Sequence, residues 1–143
     1  MHPDASLGRE GPAWLTRFAP EAWIRQGLAE LQRAEARLQT HDRVAGVLGL
    51  RRAAGMALNG ALRVVWREWG RTYIDHLQAL AHDAEVPATV REAAQLLNGV
   101  PLEKQPNVVR LTPPSETARW LEATKTIMAH AYAVVHGSAG RTT

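Results

Sequence analysis

The segment from Arg43 to Trp69 constrains the fold of this chain most strongly, because it predicts one long helix with two apolar faces. At about 100° per residue, its larger apolar side chains fall on one face. This face comprises Val44, Val47, Ala54, Leu58, Leu62, Val65 and Trp69. Small residues dominate a second, roughly opposite face: Gly46, Gly49, Ala53, Ala57, Gly60 and Val64. Since a surface helix needs only one apolar stripe, we expect this helix to lie in the middle of the molecule.

The small-residue face of this helix predicts close contact with a neighbouring backbone. We expect the neighbour to be either the last helix of the chain or the same helix of a second subunit. Between the two apolar faces lies a narrow polar wedge. It holds Arg52, Asn59 and Arg63, with Arg67 at its margin.

The rest of the chain predicts further helices around the long one, and it contains no set of strands that could form a sheet. Apolar periodicity and Pro or Gly boundaries predict helices at about Pro20 to Leu38, Thr72 to Ala84, Pro87 to Leu97 and Ser115 to His136. Asp42 is placed to cap the long helix and Gly70 to end it. The predicted fold class is therefore all-α, an up-and-down bundle of four to five helices.

The ends of the chain differ in composition from its middle. We expect an N-terminal arm over residues 1–19, a single helical-bundle domain over residues 20–137 and a disordered tail over residues 138–143. Three large apolar residues of the arm should dock on the body rather than stay in water: Trp14, Leu15 and Phe18. Residues 100–114 hold several prolines and predict an extended loop.

Composition excludes several classes of protein. The chain has no cysteine, which excludes disulfides, thiolate catalysis and Cys-based metal sites. It shows no signal-peptide pattern and no run near the ~18 apolar residues that a membrane span requires, so we expect a cytoplasmic protein without membrane association. Its net charge of +3, with fifteen Arg and two Lys, favours an acidic partner such as nucleic acid to a modest degree.

The order of helices and several short motifs resemble the HEPN superfamily, whose name stands for higher eukaryotes and prokaryotes nucleotide-binding. The resemblance covers roughly residues 21–136. It rests on small and apolar positions of the long helix around Arg52, and on three further motifs: His76-Leu77-Gln78-Ala79-Leu80, Arg91-Glu92-Ala93-Ala94-Gln95-Leu96-Leu97 and Glu116-Thr117-Ala118-Arg119.

Membership of this superfamily implies a bundle that is usually dimeric. Its members act as RNA-cleaving toxins or as partners of small nucleotidyltransferases. By this analogy we expect a homodimer through the second and fifth helices. A partner nucleotidyltransferase, RNA or a nucleotide are the further partners that the resemblance implies, in a bacterial defence or stress system.

Active ribonucleases of the superfamily carry the motif R-x4-6-H, in which His moves the proton of the 2′-hydroxyl and Arg stabilises the phosphorane. Arg71 and His76 match this motif. Thr72 stands where active members usually have a polar amide, and the motif lies earlier in the bundle than theirs. The alternative interpretation is that His76 packs at the Gly70 turn.

The polar wedge is the second candidate site. Arg52, Asn59, Arg63 and Arg67 could hold the phosphates of RNA or of a nucleotide, or they could form a solvated helix edge. The tryptophans favour core packing, with base stacking as the alternative. The sequence has no phosphate-binding loop and no pair of residues at metal-ligand spacing, so we expect no metal and no cofactor.

Three hypotheses follow from the sequence. The first is a non-catalytic HEPN-like module that binds a nucleotide, RNA or a partner nucleotidyltransferase. The second is a metal-independent HEPN ribonuclease that uses Arg71 and His76 across a dimer. The third is a purely structural interaction bundle, and it predicts that the candidate residues are scattered or engaged in pairs within the chain. Whether the chain is an enzyme is left open between them.

Overall fold

The structure, a computed structural model, describes residues 12–102 and 112–140. Five helices follow one another along this part of the chain: α1 (Pro20–Gln39), α2 (Arg43–Val64), α3 (Tyr73–Ala81), α4 (Ala88–Asn98) and α5 (Pro114–Gly140). The described residues contain no β-strand. The prediction of an all-α bundle is therefore confirmed.

Helices α1 and α2 form an antiparallel pair joined by a short turn. Thr40 directly follows α1, His41 adopts a positive φ of 63°, and the Asp42 side chain accepts a hydrogen bond from the Ala45 N–H at the start of α2. The predicted cap is therefore present. Because the turn is so short, α1 folds back directly along α2.

Helix α1 covers the small-residue face of α2 at backbone contact distance. A Cβ atom added at Gly49 would lie 2.8 Å from the Ala34 Cβ, and one added at Gly60 would lie 2.7 Å from the Pro20 carbonyl oxygen. On α1, a Cβ added at Gly27 would lie 2.8 Å from the Ala53 carbonyl oxygen. Larger side chains at these positions would force the two helices apart.

The partner of the small-residue face differs from our expectation, which was the last helix or a second subunit. Periodicity defines an apolar face but not the element that fills it. Here α1 fills it, because the short turn brings α1 there first. That face of α2 is therefore buried within one chain, and a homodimer cannot form through it in this fold.

The other apolar face of α2 packs on α5. The Arg43 guanidinium lies 5.6 Å from the centroid of the Trp120 ring, and Ala61 lines a common cavity with His130. Helix α5 therefore runs in the same direction as α2. Helices α3 and α4 lie between α2 and α5 in the chain and together run antiparallel to both. Counted as one segment, they preserve the up-and-down order of the bundle.

Arg51 joins α2 to the end of α4, a role that the sequence pattern did not indicate. Its side chain is 7% exposed and donates hydrogen bonds to the carbonyls of Leu97, Asn98 and Val100, at 3.2, 3.1 and 2.8 Å. These carbonyls lie at and just beyond the last turn of α4, where a cation also complements the helix dipole. Arg43 similarly donates to the Pro101 carbonyl.

The long helix ends earlier than predicted. We expected it to reach Trp69, with Gly70 as its terminating residue, but α2 ends at Val64 and Val65 is already extended. The consecutive β-branched residues Val64 and Val65 are weak helix formers. The extended segment lets Trp69 pack against the core, and Gly70 adopts a positive φ of 85° just before α3.

The N-terminal arm docks on the body as expected. Leu15 is fully buried, and its carbonyl accepts a hydrogen bond of 2.8 Å from the Trp23 indole Nε1–H. The Phe18 ring packs edge-on against Trp23, with centroids 4.9 Å apart. The Phe18 carbonyl accepts a hydrogen bond of 2.7 Å from Arg63, so two side chains of the body hold the arm by its backbone.

Helix α5 continues to Gly140, so the tail that we predicted to be disordered from residue 138 is helical at its start. Residues 1–11 of the arm, 103–111 of the proline-rich loop and 141–143 of the tail lie outside the described residues. Within the described ranges, no helix combines the length and the apolarity that crossing a membrane requires.

Close helix contact at Gly27 yields a stability test. Gly27→Ala should lower the free energy of unfolding by about 1–3 kcal/mol, because the added methyl group meets the backbone of α2. Gly137→Ala is the matched control, since a Cβ there meets nothing within 4 Å, and it should raise stability by roughly 0.5–1 kcal/mol. Urea unfolding measures both, and equal effects of the two substitutions would contradict the packing.

Candidate functional site

A cleft of about 400 Å³ lies between the N-terminal arm, helices α1 and α2, and the start of α3. Aromatic and cationic side chains dominate its lining, which comprises Trp14, Arg17, Trp23, Asn59, Arg71, Thr72 and Tyr73. Two arginines and no carboxylate are among these lining residues. The cleft therefore combines aromatic walls with positive charge.

The start of α3 is built to hold Arg71 and Tyr73 at the cleft. The Thr72 hydroxyl accepts a hydrogen bond from the Asp75 N–H at 3.0 Å, and the Asp75 carboxylate accepts one from the Thr72 N–H at 3.2 Å. This reciprocal capping box fixes the first turn of α3. The same two groups of Thr72 lower the pKa of Asp75.

The Tyr73 ring occupies space that Gly55 leaves open on α2. A Cβ atom at Gly55 would overlap this ring, so a glycine is required at that position. Burial raises the pKa of Tyr73, while the positive charges of Arg52 and Arg17 oppose that rise. The Tyr73 hydroxyl is therefore a neutral donor within electrostatic reach of two guanidinium groups.

Asn59 is the unusual residue of the lining. Its side chain is 1% exposed, and its Oδ1 atom has no hydrogen-bond partner among the described residues. A buried polar atom without a partner costs about 1–3 kcal/mol. Since most buried side-chain oxygens in folded proteins are paired, Asn59 is an exception within this lining.

Arg52 is held next to the cleft by a buried carboxylate. Glu30 on α1 is 6% exposed and accepts from Arg52 at 2.9 Å and from Arg33 at 3.0 Å. Burial raises the pKa of Glu30, but the hydrogen bonds and charges of Arg52 and Arg33 outweigh it, so this pKa lies below its ordinary value. The Arg52 guanidinium is partly neutralised before any ligand arrives.

The other two members of the predicted stripe are not among the residues that line the cleft. Arg63 donates to the Phe18 carbonyl and thereby holds the arm. Arg67 lies beyond the end of α2 and pairs with Asp83 at 3.5 Å and Glu85 at 2.9 Å. The prediction of a single helical stripe of four residues is therefore wrong at Arg67, because the helix that would have aligned it ends at Val64.

The Arg71–His76 pair is separated by burial. Arg71 is exposed, whereas His76 is fully buried and its Nε2 lies 3.1 Å from the Gly70 carbonyl oxygen. The indole of Trp14 stacks over the imidazole with ring centroids 6.0 Å apart. The alternative interpretation of His76, packing at the Gly70 turn, describes the observed contacts, and within one chain its ring is not accessible to a substrate.

Burial sets the protonation of His76. It lowers the pKa of the imidazole, and the hydrogen bond to Gly70 and the charge of Asp75 oppose this only in part.

Within the described ranges, no group of three or more His, Asp or Glu side chains comes together in a way that could hold a metal ion.

The candidate site thus differs in membership from the sequence prediction. The structure brings Arg52, Asn59 and Arg71 to one region, whereas Arg63 and Arg67 do not line the cleft. Sequence reasoning missed Arg17, and it assigned Trp14 only a docking role. The sequence did hold a signal for Arg17. It lies between residues that were expected to dock on the body, so it should be brought to the body with them.

Comparison of the chain with models of known protein families, with curated proteins and with solved structures finds no match.

Burial of His76 predicts a pH dependence of stability. Because its pKa is lower in the folded chain than the ordinary value of about 6.5, the unfolded chain binds more protons below that pH. The free energy of unfolding should therefore fall as pH decreases below about 6.5, until the folded-state pKa is reached. His130, whose pKa burial also lowers, contributes in the same direction.

Urea unfolding between pH 5 and pH 8 checks this dependence. His76→Gln should flatten it, because Gln keeps a hydrogen-bonding side chain but does not titrate in this range. His82→Gln is the control, since His82 directly follows the last residue of the same helix and its side chain is exposed. A slope that His76→Gln leaves unchanged would contradict the buried, neutral imidazole.

Proposed function

We propose that this chain is a cytoplasmic, HEPN-like, non-catalytic module that binds a nucleotide, either free or within single-stranded RNA. The observation that carries the proposal is the cleft, where aromatic walls and two exposed arginines meet a buried amide whose oxygen has no hydrogen-bond partner among the described residues. The five-helix bundle agrees with the resemblance to HEPN proteins, which supports the proposal by analogy alone.

The cleft offers two kinds of contact that bind a nucleotide, aromatic stacking for the base and positive charge for the phosphate. Trp14 and Tyr73 are only half-buried and present aromatic surface to the cleft, and stacking a base on such side chains contributes ~1–3 kcal/mol per base. Arg17 and Arg71 are exposed at the same cleft and can donate charge-assisted hydrogen bonds to a phosphate. The cleft volume of about 400 Å³ lies in the range of small-molecule sites.

The structural interaction bundle is the second candidate, and a specific observation favours it. Arg52, Arg63 and Arg67 are all engaged within the chain, as that hypothesis predicts. It gives no role to the positive cleft or to the Asn59 Oδ1 atom, which finds no hydrogen-bond partner in the part of the chain that the structure describes. We therefore rank it below the binding module.

A second subunit or a partner nucleotidyltransferase remains part of the proposal. Helices α1 and α5 leave two large apolar side chains exposed, Leu28 at 48% and Tyr132 at 54%. Both line an apolar groove between these helices. This groove, rather than α2, is the surface that we propose for such a contact.

The ribonuclease alternative requires Arg71 and His76 to reach the same phosphate. It would be recognised by cleavage of a mixed RNA pool in EDTA that His76→Gln abolishes. Because Trp14 covers the His76 ring, we expect intact RNA with both proteins.

Substitution of the cleft arginines tests the binding proposal. Arg17→Ala and Arg71→Ala should each weaken binding of a short, fluorescein-labelled single-stranded RNA of mixed sequence by about 10-fold or more, since charged hydrogen bonds contribute ~1.5–3 kcal/mol. Each substitution should also reduce the slope of log affinity against log salt concentration by about one, the value expected for one lost phosphate contact. Fluorescence anisotropy at two salt concentrations measures both effects.

Arg119→Ala is the matched control, because Arg119 is an exposed arginine on α5 that is not among the cleft residues. It should change the affinity by less than the cleft substitutions do. If all three variants bind equally, the protein uses its overall charge rather than the cleft. No binding by the wild-type chain would remove the proposal.

A further inference from the structure

We infer that the cleft selects a phosphate monoester, the terminal phosphate of a nucleotide or of an RNA end, over the phosphodiester inside a strand. This inference rests on the proposed function and adds the class of phosphate that the cleft binds. The observation behind it is the lining itself, where two arginines and two hydroxyl groups meet and no carboxylate of the described residues takes part.

The charge of the lining matches that of a phosphate monoester. Arg17 and Arg71 both line the cleft, both are exposed, and each carries one positive charge. A phosphate monoester has a charge of about −1.5 to −2 near pH 7. A phosphodiester has a charge of about −1. The monoester therefore gains from both guanidinium groups, whereas a single diester leaves one of the two positive charges unbalanced.

The carboxylates closest to this site are already bound to other groups. Glu30 accepts a hydrogen bond from Arg52 at 2.9 Å. The Asp75 carboxylate accepts one from the Thr72 N–H at 3.2 Å and is not part of the cleft lining. Each carboxylate thus has its own donor, and the positive charge of the lining is left for a ligand.

Two hydroxyl groups add neutral donors beside these charges. Tyr73 stays protonated because burial raises its pKa. The Thr72 hydroxyl accepts a hydrogen bond from the Asp75 N–H at 3.0 Å, and this contact leaves its own O–H for another acceptor. A phosphate monoester presents three terminal oxygens, one more than a diester does, so it can pair with more of these donors.

The donors come from two elements that border the cleft. Arg71, Thr72 and Tyr73 are consecutive at the start of α3, where the capping box fixes the backbone. Arg17 comes from the N-terminal arm, and its guanidinium lies 5.2 Å from the centroid of the Phe18 ring. The cleft volume of about 400 Å³ suits a ligand of the size of one nucleotide.

Isothermal titration calorimetry with AMP and with its 5′-methyl ester tests the selectivity, because these ligands share base and ribose and differ in charge. We expect AMP to bind about 10-fold or more tightly near neutral pH, roughly the effect of one charged hydrogen bond. The ratio of the two affinities should fall below a pH of about 6, because AMP then takes up a proton and loses its second negative charge.

Substitution of the cleft arginines assigns the selectivity to this cleft. Arg17→Ala and Arg71→Ala should each bring the ratio close to one, because a single guanidinium balances a single charge. Arg119→Ala should keep the wild-type ratio, since Arg119 is exposed on α5 and is not part of the lining. Unfolding in urea checks that the variants fold, and the comparison of the two ligands on the wild-type chain does not depend on them.

Three RNAs of one sequence identify the source of the monoester. One carries a 5′-phosphate, one a 3′-phosphate and one neither. If a phosphorylated end binds more tightly than the unphosphorylated RNA, the ligand is an RNA end. If the three RNAs bind equally while AMP binds more tightly than its ester, the ligand is a free nucleotide. Both results support the inference.

The remaining outcomes separate this inference from the proposed function. If RNA binds through the cleft arginines but AMP binds no more tightly than its methyl ester, the selectivity is overturned and the binding module stands. If Arg17→Ala and Arg71→Ala both keep the full ratio, the monoester is selected elsewhere and the inference is again overturned. If neither RNA nor AMP binds, the proposed function fails and the inference fails with it.

Discussion

The close packing of α1 on the small-residue face of α2 is the contact on which the rest of this structure depends. Gly27, Gly49 and Gly60 let the two backbones approach to a distance that any side chain would prevent. With one face of α2 covered in this way, its opposite face is free to receive α3, α4 and α5. A helix with two apolar faces thereby becomes the centre of a small bundle.

The same arrangement positions the candidate site. Because α2 is enclosed by other helices, the polar side chains of its narrow wedge are held in fixed surroundings instead of extending into water. Arg52 is fixed by Glu30, and Asn59 is buried under the cleft. The arm closes the cleft from one side, held by Trp23 and Arg63 through its backbone carbonyls.

Much of the fold could be predicted from the sequence, because apolar periodicity reports which residues are buried. Periodicity predicted the central helix and its two faces. The Asp42 cap followed from an acidic residue at the break between two helices, and the docking of the arm followed from its three large apolar residues. Periodicity could not predict which helix covers the small-residue face, since a pattern carries no information on its partner. It also placed Arg67 on a helix that ends at Val64. The cleft itself was missed, because Arg17 comes from a segment without periodicity.

The most direct measurement of the central claim is a nuclear magnetic resonance titration of the isotopically labelled chain with AMP. We expect the largest shifts at the indole N–H signals of Trp14 and Trp23 and at the side-chain amide of Asn59, since all three line the cleft. Shifts that cluster instead around Arg67 and Glu85, or an unchanged spectrum at millimolar AMP, would contradict a nucleotide site in this cleft.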